Sequence, residues 1–412
     1  MNIAIDGNEA NINNRVGSNV YAFELLSALY QLLKNRPEVN VTVLLSSPRA
    51  TDLPKARINW KYEVITPVKL WTQWALPLHL FAHRRDYDVF FTPGHYAPRI
   101  CPLPYISSVM DLAFLHYPQQ FRKSDLLQLK NWTSYSVKKA AKVVTISEFS
   151  KKEIIKFYGK KAEEIVIAYP AIPSQIKSQK SKVKNFQNKV FQEFGLSQNY
   201  LLSVSTLQPR KNLIRLIEAF EELSVKVASN PTKIKKGRGK RSEFSKLNEL
   251  QLVIAGKIGW LAAPIIDKIE NSPFKEQIIL TGFVSEAEKQ VLYTNALATV
   301  SVSPYEGFGI PALEACAFGS IPVVASNTSL PEVVGPAGIL VDPNSVASIT
   351  GGLEQALNLS AKQRAAYLKK GREQAKKFSW GKNAIKVLEA IEALLRRAAD
   401  KAFGDARQGS EE

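Results

Sequence analysis

Two doubly wound, parallel α/β domains are what this sequence predicts, and three observations predict them. Short apolar runs alternate with amphipathic stretches of helical period along the chain, the pattern of parallel strands covered by helices. The alternation occurs twice, on either side of a stretch over 174–199 rich in lysine, serine and glutamine. The length, 412 residues, suits two domains of ordinary size.

In the first half, strands are predicted at 3–6, 41–45, 89–92, 105–109 and 143–146, with helices over about 20–34, 124–139 and 150–157. In the second half, strands are predicted at 200–204, 251–255, 278–281, 298–302 and 322–325, with helices over about 213–228, 286–294 and 311–318. The polar stretch between the halves reads as a linker followed by a short helix, which sets the domains at 1–175 and 185–378. An amphipathic helix over about 380–399, with a basic tail, is expected to pack back on the first domain. Two such domains facing each other leave a cleft between the carboxyl ends of their sheets, where this architecture binds ligands.

Composition narrows the function. Hydrophobic content of 45% and charged content of 22% belong to a soluble globular protein. Cys101 and Cys316 lack metal-ligand spacing, so a reducing cytoplasm is the expected setting. The first residues read as a strand, not a signal peptide, and no apolar run approaches the roughly 20 residues of a membrane span. The net charge of +18 admits three partners: nucleic acid, an anionic membrane surface or phosphorylated small molecules. Lys233, Lys235, Lys236, Arg238, Lys240, Arg241 and Lys246 crowd one surface loop, which is either a solvated charge run or a polyanion contact. The signatures of common RNA-binding modules are missing, so nucleic acid is not an expected partner.

The decapeptide Tyr305-Glu306-Gly307-Phe308-Gly309-Ile310-Pro311-Ala312-Leu313-Glu314 carries the most information. It reads as a glycine loop between a buried strand and a helix that Pro311 opens and Gly319 ends. A helix start offers free N–H groups and partial positive charge, which suit a phosphate. Glycines there let a backbone approach a ligand closely. Glu306 falls before the helix and Glu314 about one turn inside it, so the two carboxylates can hold different parts of one ligand. Glutamate near a helix start also serves the helix dipole alone.

Other candidates lie past predicted strand ends. Arg210 and Lys211 follow the strand 200–204, and a guanidinium fork beside a compact ammonium suits a diphosphate. The alternative, that they decorate the next helix, sets cations against its dipole. Gly17 lies in the first strand-to-helix turn, where phosphates often sit. Asp111 follows the strand 105–109 and either faces the cleft or caps a helix. His95 and His116 lie in loops near strand ends. Asp86-Tyr87-Asp88 spells a metal-binding Asp-x-Asp, but it precedes a strand and so lies at the wrong end of the sheet. No other cluster has metal spacing, so no metal is expected. The aromatic stretch 70–78 is read either as a membrane-facing surface or as an ordinary buried helix.

Taken together these motifs resemble the retaining GT-B glycosyltransferases of family 4, the glycosyl transferases group 1. The glutamate pair Glu306/Glu314 carries the resemblance, with Thr206-Leu207-Gln208-Pro209-Arg210-Lys211-Asn212 and Val253-Ile254-Ala255-Gly256-Lys257. Thr281-Gly282-Phe283-Val284-Ser285, Val323-Val324-Ala325-Ser326-Asn327 and Ile146-Ser147-Glu148-Phe149-Ser150 add to it. Within that family the chain looks most like the bacterial polysaccharide mannosyltransferases. The resemblance implies a GT-B architecture, two Rossmann-like domains facing across a cleft. It implies transfer of a hexose, mannose favoured, from a GDP- or UDP-linked nucleotide sugar, without cofactor or metal. The acceptor would be a glycan or lipid-linked precursor of cell-surface polysaccharide, met in the cytoplasm at the inner membrane face.

The resemblance also implies residue roles. Glu306 meets the transferred sugar, Glu314 binds the ribose, and Arg210 and Lys211 hold the diphosphate. Asp111 joins the catalytic set. Thr206 and the backbone of Phe308, Gly309 and Ile310 bind the donor, and Gly17 leaves room beside the diphosphate. The chain departs from the family at Met110, where histidine is usual. His116 or His95 fills that role only with altered loop geometry. Ser205 and Gln208 replace the usual glycine and acidic residue, and the usual glycine is missing from Ala168-Tyr169-Pro170-Ala171. Met110 motivates a second reading, a GT-B binding or scaffold protein that holds nucleotide sugar without turnover.

Overall fold

The computed structural model describes residues 1–15, 17–94, 96–173, 183–229 and 250–408. His95, most of the expected linker and the basic stretch 233–246 lie outside the described residues. The chain divides into two compact units, one of Met1–Pro170 with Ser379–Glu412, the other of Ala171–Phe378.

The first unit alternates β1 Asn2–Asp6, α1 Ser18–Leu32, β2 Asn40–Leu45, β3 Trp60–Val64, α2 Ala75–Ala82, β4 Val89–Thr92 and β5 Tyr105–Val109. It continues through α3 Ala113–His116, α4 Lys123–Lys139, β6 Lys142–Thr145, α5 Glu148–Tyr158 and β7 Ile165–Ile167. Its strands pair in parallel in the order β3-β2-β1-β4-β5-β6-β7. β4, β5 and β6 are buried along their whole length, which is why they read as continuous apolar or small-residue runs. Ser147 starts α5 by accepting the N–H of Ser150, and Gly159 closes it in a left-handed conformation.

The second unit runs α6 Val183–Glu193, β8 Tyr200–Val204, α7 Leu213–Ser229, β9 Gln251–Ala255, α8 Ala263–Glu270, β10 Ile278–Gly282 and α9 Glu286–Asn295. It ends with β11 Ala298–Ser301, α10 Ile310–Phe318, β12 Pro322–Ala325, α11 Leu330–Val334, β13 Ile339–Val341, α12 Val346–Leu357 and α13 Ala361–Ala375. The sheet order is β10-β9-β8-β11-β12-β13, again all parallel. Strand order reverses about β8 and β11, so the loops after these central strands lie at the switch point where doubly wound sheets bind ligands.

The final helix, α14 Trp380–Gln408, belongs to the first unit and packs on α1, touching β6 and β7. Trp380 meets Tyr21 edge-on at 5.6 Å, and buried Asn383 donates to the carbonyls of Ala168 at 2.8 Å and Tyr169 at 3.0 Å. These bonds satisfy backbone acceptors that would otherwise be buried without partners.

Candidate active site

The glutamate loop is built by the second unit alone. β11 is buried, and the chain leaves it through Val302 and Ser303 into the decapeptide. Gly309 is the N-cap of α10 with φ 98° and ψ 60°, and a Cβ there would lie 2.4 Å from Leu330 Cδ2. Both facts demand glycine. The residue thus serves the turn and its packing on α11 before any ligand is considered. Pro311 lies in the first turn of α10, and Gly319 ends the helix. Among the described residues, no partner within the chain takes the N–H of Gly309 or Ile310. Phe308 is buried, edge-on against Phe378 at 5.4 Å. Ser329 donates to the Glu306 carbonyl at 2.8 Å and Asn327 to that of Pro304 at 2.9 Å, so the loop is clamped from below.

Arg210 and Lys211 occupy the short helical turn Pro209–Lys211, ahead of α7 rather than in its first turn. Asn212, in a left-handed conformation at φ 58°, ends that turn and donates to the carbonyls of Val302 at 3.0 Å and Pro343 at 2.7 Å. Ser303 donates to the Arg210 carbonyl at 2.7 Å. The basic turn and the glutamate loop are therefore sewn together. Lys211 Nζ donates to Glu306 Oε1 at 2.5 Å, and Arg210 Nη1 stands 3.6 Å from Glu306 Oε2 and 3.3 Å from the Tyr305 carbonyl. Burial alone pushes the Glu306 carboxyl up, but Lys211 and Arg210 outweigh it and hold the group below its ordinary range. Thr206 lies just before this turn, in a segment fixed by the Leu207 N–H on the Lys257 carbonyl and the Gly259 N–H on the Leu207 carbonyl.

Glu314 faces inward from α10 and is 1% exposed. Its oxygens meet Lys289 Nζ at 2.8 Å and the Tyr293 hydroxyl at 2.7 Å, both from α9. Burial raises its pKa, and Lys289 and Tyr293 offset only part of that rise. Sequence reasoning missed these two partners. They sit four apart on the α9 surface, a spacing legible only once that face is known to meet α10.

The first unit supplies the remaining candidates. Gly17 is the N-cap of α1 at φ 55° and ψ −118°, and a Cβ there would meet nothing within 4 Å. Its backbone requires glycine while open space lies beside it. Asp111 Oδ1 accepts the N–H of Ala113 at 3.0 Å, a local turn contact one residue ahead of Leu112, the N-cap of α3, which has no side-chain cap. Met110 is buried, and its carbonyl accepts from Ser150 Oγ at 3.1 Å. His116 is not available for the vacant histidine role as it stands: Nε2 is bonded to Glu153, and the ring packs edge-on to Phe157.

Two expectations need correction. The stretch 70–78 is not simply a buried helix. Trp71, Ala75, Leu76 and Leu80 are buried, while Leu70, Trp74, Leu78 and Phe81 are exposed, because α2 lies on the sheet with one face only. Metal spacing is also present after all: His79 and His83, four apart on and just past α2, meet Glu63 of β3. Asp86 and Asp88, by contrast, lie before β4 as expected, and Asp88 accepts the N–H of Asn2 at 2.7 Å.

Comparison with known proteins agrees with this construction. Structural neighbours include sucrose-phosphate synthase from Thermosynechococcus elongatus, with TM-score 0.67 and 17% identity over 96% of this chain and 99% of that one. They also include Anabaena Alr3699/HepE in complex with UDP-glucose, with TM-score 0.65 and 16% identity over 95% of this chain and 100% of that one. The two doubly wound parallel sheets thus define a protein of the GT-B fold. Residues 185–374 match the family Glycosyl transferases group 1. O-antigen chain mannosyltransferase B of Escherichia coli is 30% identical over 314 residues, 75% of this chain and 76% of that protein. The chain belongs to the glycosyl transferases group 1 and is a glycosyltransferase.

Proposed function

We propose that this glycosyltransferase moves a hexose, mannose in first place, from a GDP- or UDP-linked donor to a glycan or lipid-linked acceptor in cell-surface polysaccharide synthesis. The transfer is proposed to retain anomeric configuration and to need no metal. One observation carries the reading: Arg210 and Lys211 converge on Glu306 directly ahead of the α10 N-terminus. Two cations and a helix start in one place suit a diphosphate, and a carboxylate beside them suits the sugar attached to it. Mannose is favoured by the similarity to the E. coli mannosyltransferase. A uridine donor is kept beside guanosine because the Anabaena neighbour holds UDP-glucose.

In this reading the diphosphate takes over Lys211 and Arg210 from Glu306, which then turns to the sugar. The bond from the anomeric carbon to the phosphate oxygen breaks, and its electron pair stays on that oxygen. The acceptor hydroxyl oxygen bonds the anomeric carbon from the same face, and its proton passes to the departing phosphate. Charge thus grows on the phosphate oxygens, where fixed cations and the α10 dipole stabilise it without reorganising. The N–H groups of Gly309 and Ile310, with the backbone of Phe308, are proposed to bind the donor. Thr206, Gly17 and Asp111 are assigned donor or sugar contacts on the family resemblance.

Glu314 is proposed to take the ribose hydroxyls. Lys289 and Tyr293 would then orient its carboxylate.

The acceptor is proposed to be met at the cytoplasmic membrane face. Trp74, Leu78 and Phe81 share an exposed side of α2, with exposed Lys69, Arg84 and Arg85 nearby. Apolar anchors rimmed by cations suit an anionic bilayer. Among the described residues no helix is long and apolar enough to cross a membrane.

The test is calorimetric binding of GDP, UDP, ADP and their hexose conjugates, followed by a release assay with membrane extract as acceptor. Binding of one nucleotide and turnover of its sugar conjugate supports the reading and names the donor. Binding without turnover supports a scaffold protein instead, and no binding overturns both.

A further inference from the structure

Away from these residues, the first unit gathers a second set of chemistry-bearing side chains. His79 and His83 lie one helical turn apart, and their rings stack with centroids 4.4 Å apart and planes at 28°. Glu63 Oε1, from the edge strand β3, stands 3.5 Å from His79 Nδ1. One ligating atom from each of the three residues falls within 4.8 Å of the other two. Asp86 Oδ2 lies 2.9 Å from His83 Nδ1. A carboxylate only accepts, so Nδ1 of His83 is the donor in this contact and Nε2 is the nitrogen left to face a ligand. The Tyr87 hydroxyl stands 3.4 Å from His79 Nε2.

We propose that Glu63, His79 and His83 bind a first-row divalent transition metal, zinc in first place. Two imidazoles and a carboxylate are the donor set that zinc takes, whereas magnesium and calcium favour oxygen alone. Tetrahedral ligands of zinc lie roughly 3.3 Å apart, so the cluster must draw in by about an ångström. The side chains of Glu63 and His83 are 44% and 45% exposed and have the freedom to do so. Asp86 stands where a carboxylate behind a ligating histidine fixes its tautomer and orientation. A cavity of about 470 Å³ lined by Glu63, His83, Asp86 and Tyr87 opens beside the cluster and gives water room to complete the coordination. The ion ties α2, whose other side carries Trp74, Leu78 and Phe81, to the edge of the sheet.

The test uses the untagged, metal-stripped full-length protein, with Zn²⁺ titrated by calorimetry and Co²⁺ as a spectroscopic probe. One equivalent of Zn²⁺ should bind with micromolar or tighter affinity, and Co²⁺ should give the visible bands of a nitrogen-ligated ion. Glu63→Gln and His83→Ala should each weaken Zn²⁺ by at least about tenfold. Both replace part-exposed side chains, so the metal-free melting temperature should stay near that of the parent. His83→Cys should retain binding. Unchanged Zn²⁺ affinity in both weakening variants, or no heat of binding at millimolar Zn²⁺, overturns the proposal.

Discussion

Lys211 donates to Glu306 across 2.5 Å, joining a basic turn to a carboxylate 95 residues later in the chain. The pair is largely shielded, with the two side chains 17% and 11% exposed. A shielded carboxylate held by two cations is stable only while they remain, and in the proposed function the incoming diphosphate competes for the same cations.

Arg210→Ala and Lys211→Ala should therefore weaken nucleoside diphosphate binding, each by about 10- to 100-fold, the worth of one charge-assisted hydrogen bond. Binding of the uncharged nucleoside should change little. Calorimetry with the diphosphate and the nucleoside separates the two effects, and equal losses for both would point to a distorted loop instead.

Two glycines should respond differently to alanine. At Gly309 the added methyl meets Leu330 and the backbone is left-handed, so Gly309→Ala should cost about 2–4 kcal/mol and weaken donor binding. At Gly17 the methyl meets open space, so only backbone strain remains, about 1–2 kcal/mol. Urea unfolding of both variants checks the order.

Asp6 gives a pH signature. Burial raises its pKa from 3.8 to about 7, with the Asn8 N–H opposing and Glu9 adding. A raised acid favours the folded state while protonated, so its contribution is complete below about pH 4 and is lost as pH rises through about 7. Asp6→Asn keeps the neutral form throughout. The stability of the variant relative to the parent should thus grow between pH 4 and 8 by up to about 4 kcal/mol. A pH-independent difference in unfolding midpoints would contradict this origin.

Much of this was legible in the sequence, for physical reasons. The strands at 200–204, 251–255 and 322–325 were readable because they are central and buried on both faces. β3 was not, because Trp60-Lys61-Tyr62-Glu63-Val64 mixes polar and apolar residues at the sheet edge. β7 and β13 escaped as edge strands of three residues each. The helices α3, α8, α11, α12 and α13 were also unassigned. Arg210, Lys211 and Glu306 were each legible by motif, but the ion pair between them is a tertiary fact. The Glu63, His79 and His83 cluster was not read: His79 and His83 have helical spacing, but Glu63 comes from the strand that was missed.

The exposed side of α2 gives a membrane prediction. Replacing Trp74, Leu78 and Phe81 together by serine should abolish co-sedimentation with vesicles containing anionic lipid, while leaving the melting temperature nearly unchanged. Raising the salt concentration should weaken the parent's binding without removing it, since apolar insertion is insensitive to screening. Undiminished sedimentation of the triple variant would exclude this face.

The most direct measurement is single-turnover sugar transfer by Glu306→Gln, with nucleoside diphosphate affinity measured on the same preparation. Glutamine keeps an acceptor for Lys211 and removes the charge that competes with the diphosphate. The account predicts transfer slowed by about 10²- to 10³-fold, with diphosphate affinity equal or higher. Transfer at the parental rate would contradict it.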